Sequence, residues 1–381
     1  MRRLRIALLT EIPAPFRTPL FNALAALPEI ELRVLFLAAR DPKRPHYRLY
    51  HEEMRFSWQV LPGREVSRSG RWIVFSRGTA RRLLRFRPDM VVVGGWNQPA
   101  FWAALFAARL LRRPLVAWVE STARDERSGG GALERAKRAM IARCAGFLVP
   151  GRASRDYLVA LGVSPTRLAI APNAVDLSIF GDAVAAAKAA GRSELRARLG
   201  LTEGSCVVLS VGRLDPEKGI DVLLDAAASL HAAGSTATVV IVGGGSLEGE
   251  LRAAAGANVR FTGALDRDAL VPWYAAADVF VLPSRSEQWG MVLNEAAAAG
   301  LPIVATEAAG AAWDLVDDGT SGFRIPVGDA ASLAQALAEL AADSGFRERA
   351  GDRSRTLAAG HTADAWAAAV ADLGSKLAAS Q

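Results

Sequence analysis

The chain has 381 residues, 51% of them hydrophobic, which is apolar material enough for two separately cored domains and excludes wholesale disorder. Its net charge of +7 is unevenly placed: residues 1–170 hold 30 Lys and Arg against 13 Asp and Glu, and the remainder 16 against 26. A basic half suits an anionic partner, a membrane surface or nucleic acid, or is simply the solvated face of a protein with 41 arginines and five lysines. Cys144 and Cys206 lie in separate apolar segments, which fits reduced core residues of a cytoplasmic protein rather than a disulfide or metal framework.

The opening MRRLRIALLT reads as a first strand with a charged lead-in, because too few apolar residues follow for a signal peptide. RIALLT, ELRVLFLA, DMVVVGG, PLVAWVE and GFLVPG then read as strands, separated by helical patterns in PLFNALAAL, RWIVFSRGTARRLLRF and AFWAALFAARLL. In the second of these helices Trp72, Phe75, Leu83 and Phe86 form a core stripe, and Arg77, Arg81 and Arg85 an i, i+4 ridge to which Arg82 adds. The most apolar stretch, PAFWAALFAARLLRRPLVAWV, is broken by Arg109, Arg112 and Arg113 and falls short of the roughly 20 residues a spanning helix needs.

Pro172 and Asn173 interrupt the pattern in RLAIAPNAVDLSIF, and GDAVAAAKAAGRSELRARLG follows as helix or linker. The alternation then restarts with CVVLSVGR, TATVVIVGGG, NVRFTGA, ADVFVLPS and LPIVAT. Domains are therefore expected over 1–172 and 173–360, with a last helix over 361–381 free to pack back on the first. The fold class is α/β: two Rossmann-like, doubly wound parallel-sheet domains facing across a cleft. Open parallel sheets bind ligands at the carboxyl ends of their strands, so the candidate residues are sought there.

VGRLDPEKG places Gly212 and Arg213 at a strand end and Lys218 at a helix entrance. The guanidinium offers a planar fork to phosphate oxygens and the ammonium a mobile point charge. In SRSEQWGMVLNEAAAAGLPIVAT, Gly290 turns the backbone into a helix whose first amides, near Met291 and Val292, lack internal partners and favour an anion. Arg213, Lys218 and these amides would hold a diphosphate without a metal ion. Asp266 and Asp268 have the Asp-x-Asp spacing of some divalent-ion sites but stand where a helix N-cap is expected. Gly243–Gly245 reads as a tight strand-to-helix turn with Ser246 as its cap, lacking the full dinucleotide fingerprint. Gly94, Gly95, Trp96 and Asn97 close a first-domain strand, as acceptor contacts or as packing.

Taken in order, VGRLDPEKG, RFTGAL, ADVFVLPSRSEQWGMVLNEAAAAGLPIVAT and DLVDDGTSGFRIPVGD resemble glycosyltransferase family 4, retaining sugar-nucleotide enzymes of the glycosyltransferase B fold. The resemblance implies that Glu287, first of the E-x7-E pair, meets the transferred sugar and that Glu295, the second, meets the ribose. It implies that Arg213 and Lys218 neutralise the leaving diphosphate, and that Phe261, Thr262 and Leu265 border the base. It further implies a nucleoside-diphosphate sugar as donor substrate with no separate cofactor and no metal. The acceptor is then a saccharide or lipid-linked, in cell-envelope glycan or polysaccharide synthesis, with the first domain on its side; separately, the arginine ridge over residues 77–85 either docks a cytoplasmic enzyme peripherally on the inner face of the membrane or is a solvated helix face.

The first domain departs from that pattern. TEIPAPFRTPLFNAL lacks the glycine-rich loop, and VAWVESTARDE carries Glu120, Ser121 and Thr122 where many members have a histidine. His46 and His51 lie elsewhere, so Glu120 is left either as a polar substitute or as a structural acid. Two other classes compete. One is another two-Rossmann sugar-nucleotide enzyme such as an epimerase. The other is a basic nucleic-acid-binding protein, against which stand the dispersed charges and the lack of a reading motif, so no nucleic-acid partner is expected.

Overall fold

The computed structural model describes residues 3–42, 49–68, 71–124 and 131–379; His46 and the first two residues of the charged lead-in lie outside them. The chain divides into two compact units. One holds Met1–Ser121, Arg127–Ala174 and Ala363–Gln381, the other Thr122–Glu126 and Val175–Thr362.

The first unit contains strands β1 (Leu4–Thr10), β2 (Ile30–Phe36), β3 (Ser57–Val60), β4 (Gly63–Arg68), β5 (Arg71–Ser76), β6 (Met90–Val93), β7 (Leu115–Trp118), β8 (Gly146–Val149) and β9 (Leu168–Ile170). Its helices are α1 (Thr18–Ala26), α2 (Thr79–Phe86), α3 (Pro99–Leu110), α4 (Gly131–Ile141) and α5 (Arg152–Ala160). A parallel sheet runs β3-β2-β1-β6-β7-β8-β9. The strands are continuous apolar runs because both faces are covered. Ala7, Leu9, Val91, Val93 and Ala117 join one core cluster, while the alternate residues Ile6, Leu8, Met90, Val92, Val116 and Trp118 join another. The period of two along each strand sorts them.

RWIVFSRGTARRLLRF does not form one helix. Its first half is β5, which pairs antiparallel with β4, and the helix begins only at Thr79 after Gly78 adopts φ 73°. Trp, Ile, Val and Phe in succession fit a pleated ribbon better than a helix, and GREVSR supplies the partner ladder. Trp72 and Phe75 therefore belong to a hairpin rather than a helical stripe, Phe75 is half-exposed, and only Arg81, Arg82 and Arg85 of the expected ridge are helical.

The second unit contains α6 (Val184–Ala189), α7 (Arg192–Arg198), β10 (Val207–Val211), α8 (Ile220–Ala232), β11 (Thr238–Val242), α9 (Glu248–Ala254), β12 (Val259–Gly263), α10 (Arg267–Ala276), β13 (Val279–Leu282), α11 (Met291–Ala298), β14 (Ile303–Thr306), α12 (Ala312–Leu315), β15 (Gly322–Ile325), α13 (Ala330–Ala342) and α14 (Ser344–Ala358). Its parallel sheet runs β12-β11-β10-β13-β14-β15. Renumbered within the unit this is 3-2-1-4-5-6, so the order reverses between β10 and β13 and leaves a crevice at their carboxyl ends. The last helix, α15 (Ala363–Ala379), returns to the first unit. Its Trp366 is fully buried 5.8 Å from Phe21 and 5.2 Å from Trp118, ring centroid to ring centroid.

Candidate active site

The switch point explains why residues 69 positions apart meet. The segment after β10 carries Lys218, the segment after β13 carries Glu287, and Lys218 Nζ forms an ion pair with Glu287 Oε2. Both side chains are mostly buried, at 16% and 18% exposed. The backbones are joined as well, since the amides of Arg285 and Ser286 donate to the Glu217 carbonyl at 2.8 and 3.3 Å. Gly219 permits the approach: it has φ 63°, and a Cβ there would come within 2.2 Å of the Pro283 carbonyl oxygen. The Arg285 guanidinium grips Asp221 at 2.6 and 2.5 Å, and that bond holds the Asp221 carboxyl below its usual range.

Arg213 is held by Asp215 and by Glu217, at 2.5 Å from the latter. Asp215 also accepts from the Ser246 amide (3.1 Å) and hydroxyl (2.9 Å). Burial pushes the Asp215 carboxyl up, but the Ser246 bonds and Arg213 more than offset it and leave it lowered. Ser246 thus ties two loops together and is not the cap of α9, whose N-cap is Leu247. The glycine-rich turn has a packing cause: a Cβ on Gly243 would lie 1.8 Å from the Gly212 carbonyl oxygen.

Beyond Glu287 the chain pairs with the loop after β14, the Gly310 and Ala311 amides donating to the carbonyls of Glu287 (3.2 Å) and Trp289 (2.9 Å). Trp289 is buried, its Nε1 donating to Asn294 Oδ1 at 2.7 Å. Gly290, at φ 96°, is the N-cap of α11, so the half-buried Met291 and Val292 stand in the first turn, where amides lack intrahelical partners. Glu295, one turn on and half-buried, accepts from Tyr274 Oη at 2.6 Å. Burial raises its carboxyl to about 7, against the pull of the Tyr274 hydroxyl.

Leu265, Met291 and Val292 border one apolar cluster with Val211, Trp289 and Leu293. Phe261 does not join them; its ring packs on the opposite side of the sheet beneath Arg252, 5.0 Å from the guanidinium carbon. Thr262 Oγ1 donates to the Gly263 carbonyl at 2.9 Å. Asp266 stands at the N-cap of α10 without a side-chain cap bond, and Asp268 lies in that helix's first turn, paired with Arg267.

In the first unit Glu120 receives Arg17 Nη2 at 3.3 Å and Asn173 Nδ2 at 3.2 Å, while Arg17 lies over the Trp118 ring at 4.5 Å and also meets Thr10. Asn97 and Gln98 donate to Glu11 at 3.0 and 2.8 Å, and Trp96 packs against the core. His51 stacks on Trp58 at 5.3 Å, away from this network.

Sequence reasoning passed over Asp215, Glu217, Arg285 and Tyr274. The two acids lie close to Arg213 in sequence, but no regular spacing in that loop marked them as its partners. Tyr274, on a buried helical face, carried no mark either. The site therefore offers two cations poised among three carboxylates, an α-helical N-terminus for an anion, and a fourth carboxylate fixed by a phenol.

A family model described as Glycosyltransferase Family 4 matches residues 20–179, and one described as Glycosyl transferases group 1 matches residues 205–343. A D-inositol 3-phosphate glycosyltransferase of Streptomyces bingchenggensis is 35% identical over 226 residues, 56% of this chain. The chain spans about half the length (48%) of that curated relative. Among solved structures, Anabaena Alr3699/HepE in complex with UDP and glucose superposes with a TM-score of 0.72 at 20% identity, covering 99% of both chains. Sucrose-phosphate synthase of Thermosynechococcus elongatus gives 0.74 at 20% identity, covering 100% of both. These likenesses show the glycosyltransferase B fold.

Proposed function

We infer, since the chain belongs to glycosyltransferase family 4, that it moves a sugar from a nucleoside-diphosphate sugar to a saccharide or lipid-linked acceptor, retaining the anomeric configuration and using no metal ion. The observation that carries this reading is the Lys218–Glu287 pair at the sheet's switch point, beside the N-terminus of α11. The donor divides that pair. Lys218 turns to the diphosphate, joined by Arg213 and the Met291 and Val292 amides, while Glu287 is released to the sugar. Transfer builds positive charge on the sugar and negative charge on the departing phosphate, so each half of the pair meets the charge it opposes. Glu295 accepts the ribose hydroxyls, and Leu265 and Thr262 border the base. The first unit takes the acceptor, with Glu120 as an ion-paired polar group rather than a proton shuttle.

UDP and UDP-glucose in complexes of a structural neighbour support a uridine donor. A thermal-shift panel of UDP-, GDP- and ADP-sugars tests the reading: a donor at a hundredfold its Kd adds about 2.7 kcal/mol of apparent stability. Proton NMR of the product then reports the anomer. A panel with no shift, an inverted product, or epimerised nucleotide without transfer would each overturn it.

A basic apolar face favours a second statement, that the enzyme docks on an anionic membrane at the cytoplasmic face to meet a lipid-linked acceptor. Phe106 (65% exposed) and Leu110 (62%) lie one turn apart on α3, which packs against α2 and β5, where Phe75 is 50% exposed. Arg77, Arg81, Arg85, Arg109 and Arg112 are exposed in the same segments. Exposed rings among arginines suit an anionic interface at about 1 kcal/mol per charge. No helix among the described residues is long and apolar enough to cross a membrane.

A further inference from the structure

We propose that Tyr274 is a positioning residue for the donor, its hydroxyl holding the Glu295 carboxylate in the orientation that accepts the ribose hydroxyls. The proposal rests on the assignment of Glu295 to the ribose. A phenol with no exposure is costly unless its hydroxyl is bonded, and the bond recorded here, 2.6 Å to Glu295 Oε2, has the length of a hydrogen bond to a charged oxygen. The ring cannot swing. It stacks on Phe280 at 5.8 Å with an interplanar angle of 15°, and meets Phe180 edge-on at 5.5 Å.

Phe280 lies on β13, the strand that also delivers the Glu287 segment, so the ring is referenced to the scaffold that places the sugar-facing carboxylate. Burial and the neighbouring carboxylate keep the phenol well above its usual range, so it stays a donor. With Oε2 engaged by the phenol, the half-buried Glu295 has Oε1 left to offer a ligand. Packing alone does not ask for the hydroxyl, because a phenylalanine would fill the same volume between Phe180 and Phe280.

The test compares UDP, GDP and ADP with their 2′,3′-dideoxy counterparts by calorimetry on the full chain. The wild type should prefer at least one ribonucleotide by about tenfold or more, as expected for hydrogen bonds to a charged group. Glu295→Gln should remove most of that preference. Tyr274→Phe should cut it severalfold while leaving dideoxynucleotide affinity unchanged, and Tyr274→Met, equally without a hydroxyl, should do the same if the first variant folds poorly. Full preference in the Tyr274 variants with loss in Glu295→Gln overturns the proposal and spares the ribose assignment. Full preference in Glu295→Gln, or none in the wild type, overturns both.

Discussion

The two units share a doubly wound plan but tie their strand-end loops differently. In the second, main chain meets main chain: Arg285 and Ser286 on Glu217, Gly243 against Gly212, Gly219 against Pro283. In the first, the Leu37 and Ala38 amides donate to the Thr10 and Glu11 carbonyls, but side chains join the other loops, Arg17 and Asn173 on Glu120, and Asn97 and Gln98 on Glu11. A site framed by close backbone contacts tolerates few residue types at its crossing points, here Gly219 and Gly243. A side-chain network can be rebuilt from many residue types, so it leaves no motif.

That contrast can be broken most sharply in the second unit. Lys218→Ala and Glu287→Ala should each lower kcat by about two to three orders of magnitude, the scale of losing one preorganised charge at a reacting centre. Melting temperatures should stay within a few degrees, since the pair lies in loops outside the apolar core; near-normal turnover in both variants would refute the site.

In the first unit the expected effect is on location rather than chemistry. Cosedimentation of wild type should be strong with anionic vesicles at low salt and weak with neutral ones. Replacing Phe106 and Leu110 by serine should weaken it by about tenfold while donor binding holds. Equal binding to both vesicle types would remove the membrane reading.

A further effect concerns pH. Glu295 holds its proton to about 7 in the fold against 4.5 for a free side chain, so its protonation stabilises the fold fully below 4.5, and that contribution is lost as pH rises through 7. Above pH 7, Glu295→Gln should therefore be the more stable protein, by up to about 3 kcal/mol. On the proposed ribose role, donor affinity of the wild type should rise severalfold from pH 6 to 8 as Glu295 ionises, whereas the glutamine variant should bind weakly and flatly. A flat wild-type profile would contradict the shift.

Much of the architecture was readable because buried parallel strands are long apolar runs and their helices repeat at another period. The same reasoning failed at residues 71–76, where Arg-Trp-Ile-Val-Phe-Ser satisfies a helical stripe on paper and a hairpin in the fold. Arg213 and Lys218 stood out as charges after a predicted strand, and Glu287 and Glu295 through the family resemblance. Their partners did not, because Tyr274 looks like any other core aromatic until its hydroxyl is seen to reach a carboxylate 21 residues away.

By itself, then, the sequence determined the two-domain α/β plan and the glycines that let loops touch, which are local matters of period, volume and backbone freedom, while its family resemblance singled out the candidate acids. Only the tertiary structure decided that Lys218 pairs with Glu287, that Tyr274 braces Glu295, that Phe261 turns to the other side of its sheet, and that Arg17 claims Glu120. Those pairings depend on where the strand order reverses and which face of each strand a residue occupies, and neither is encoded by neighbours along the chain.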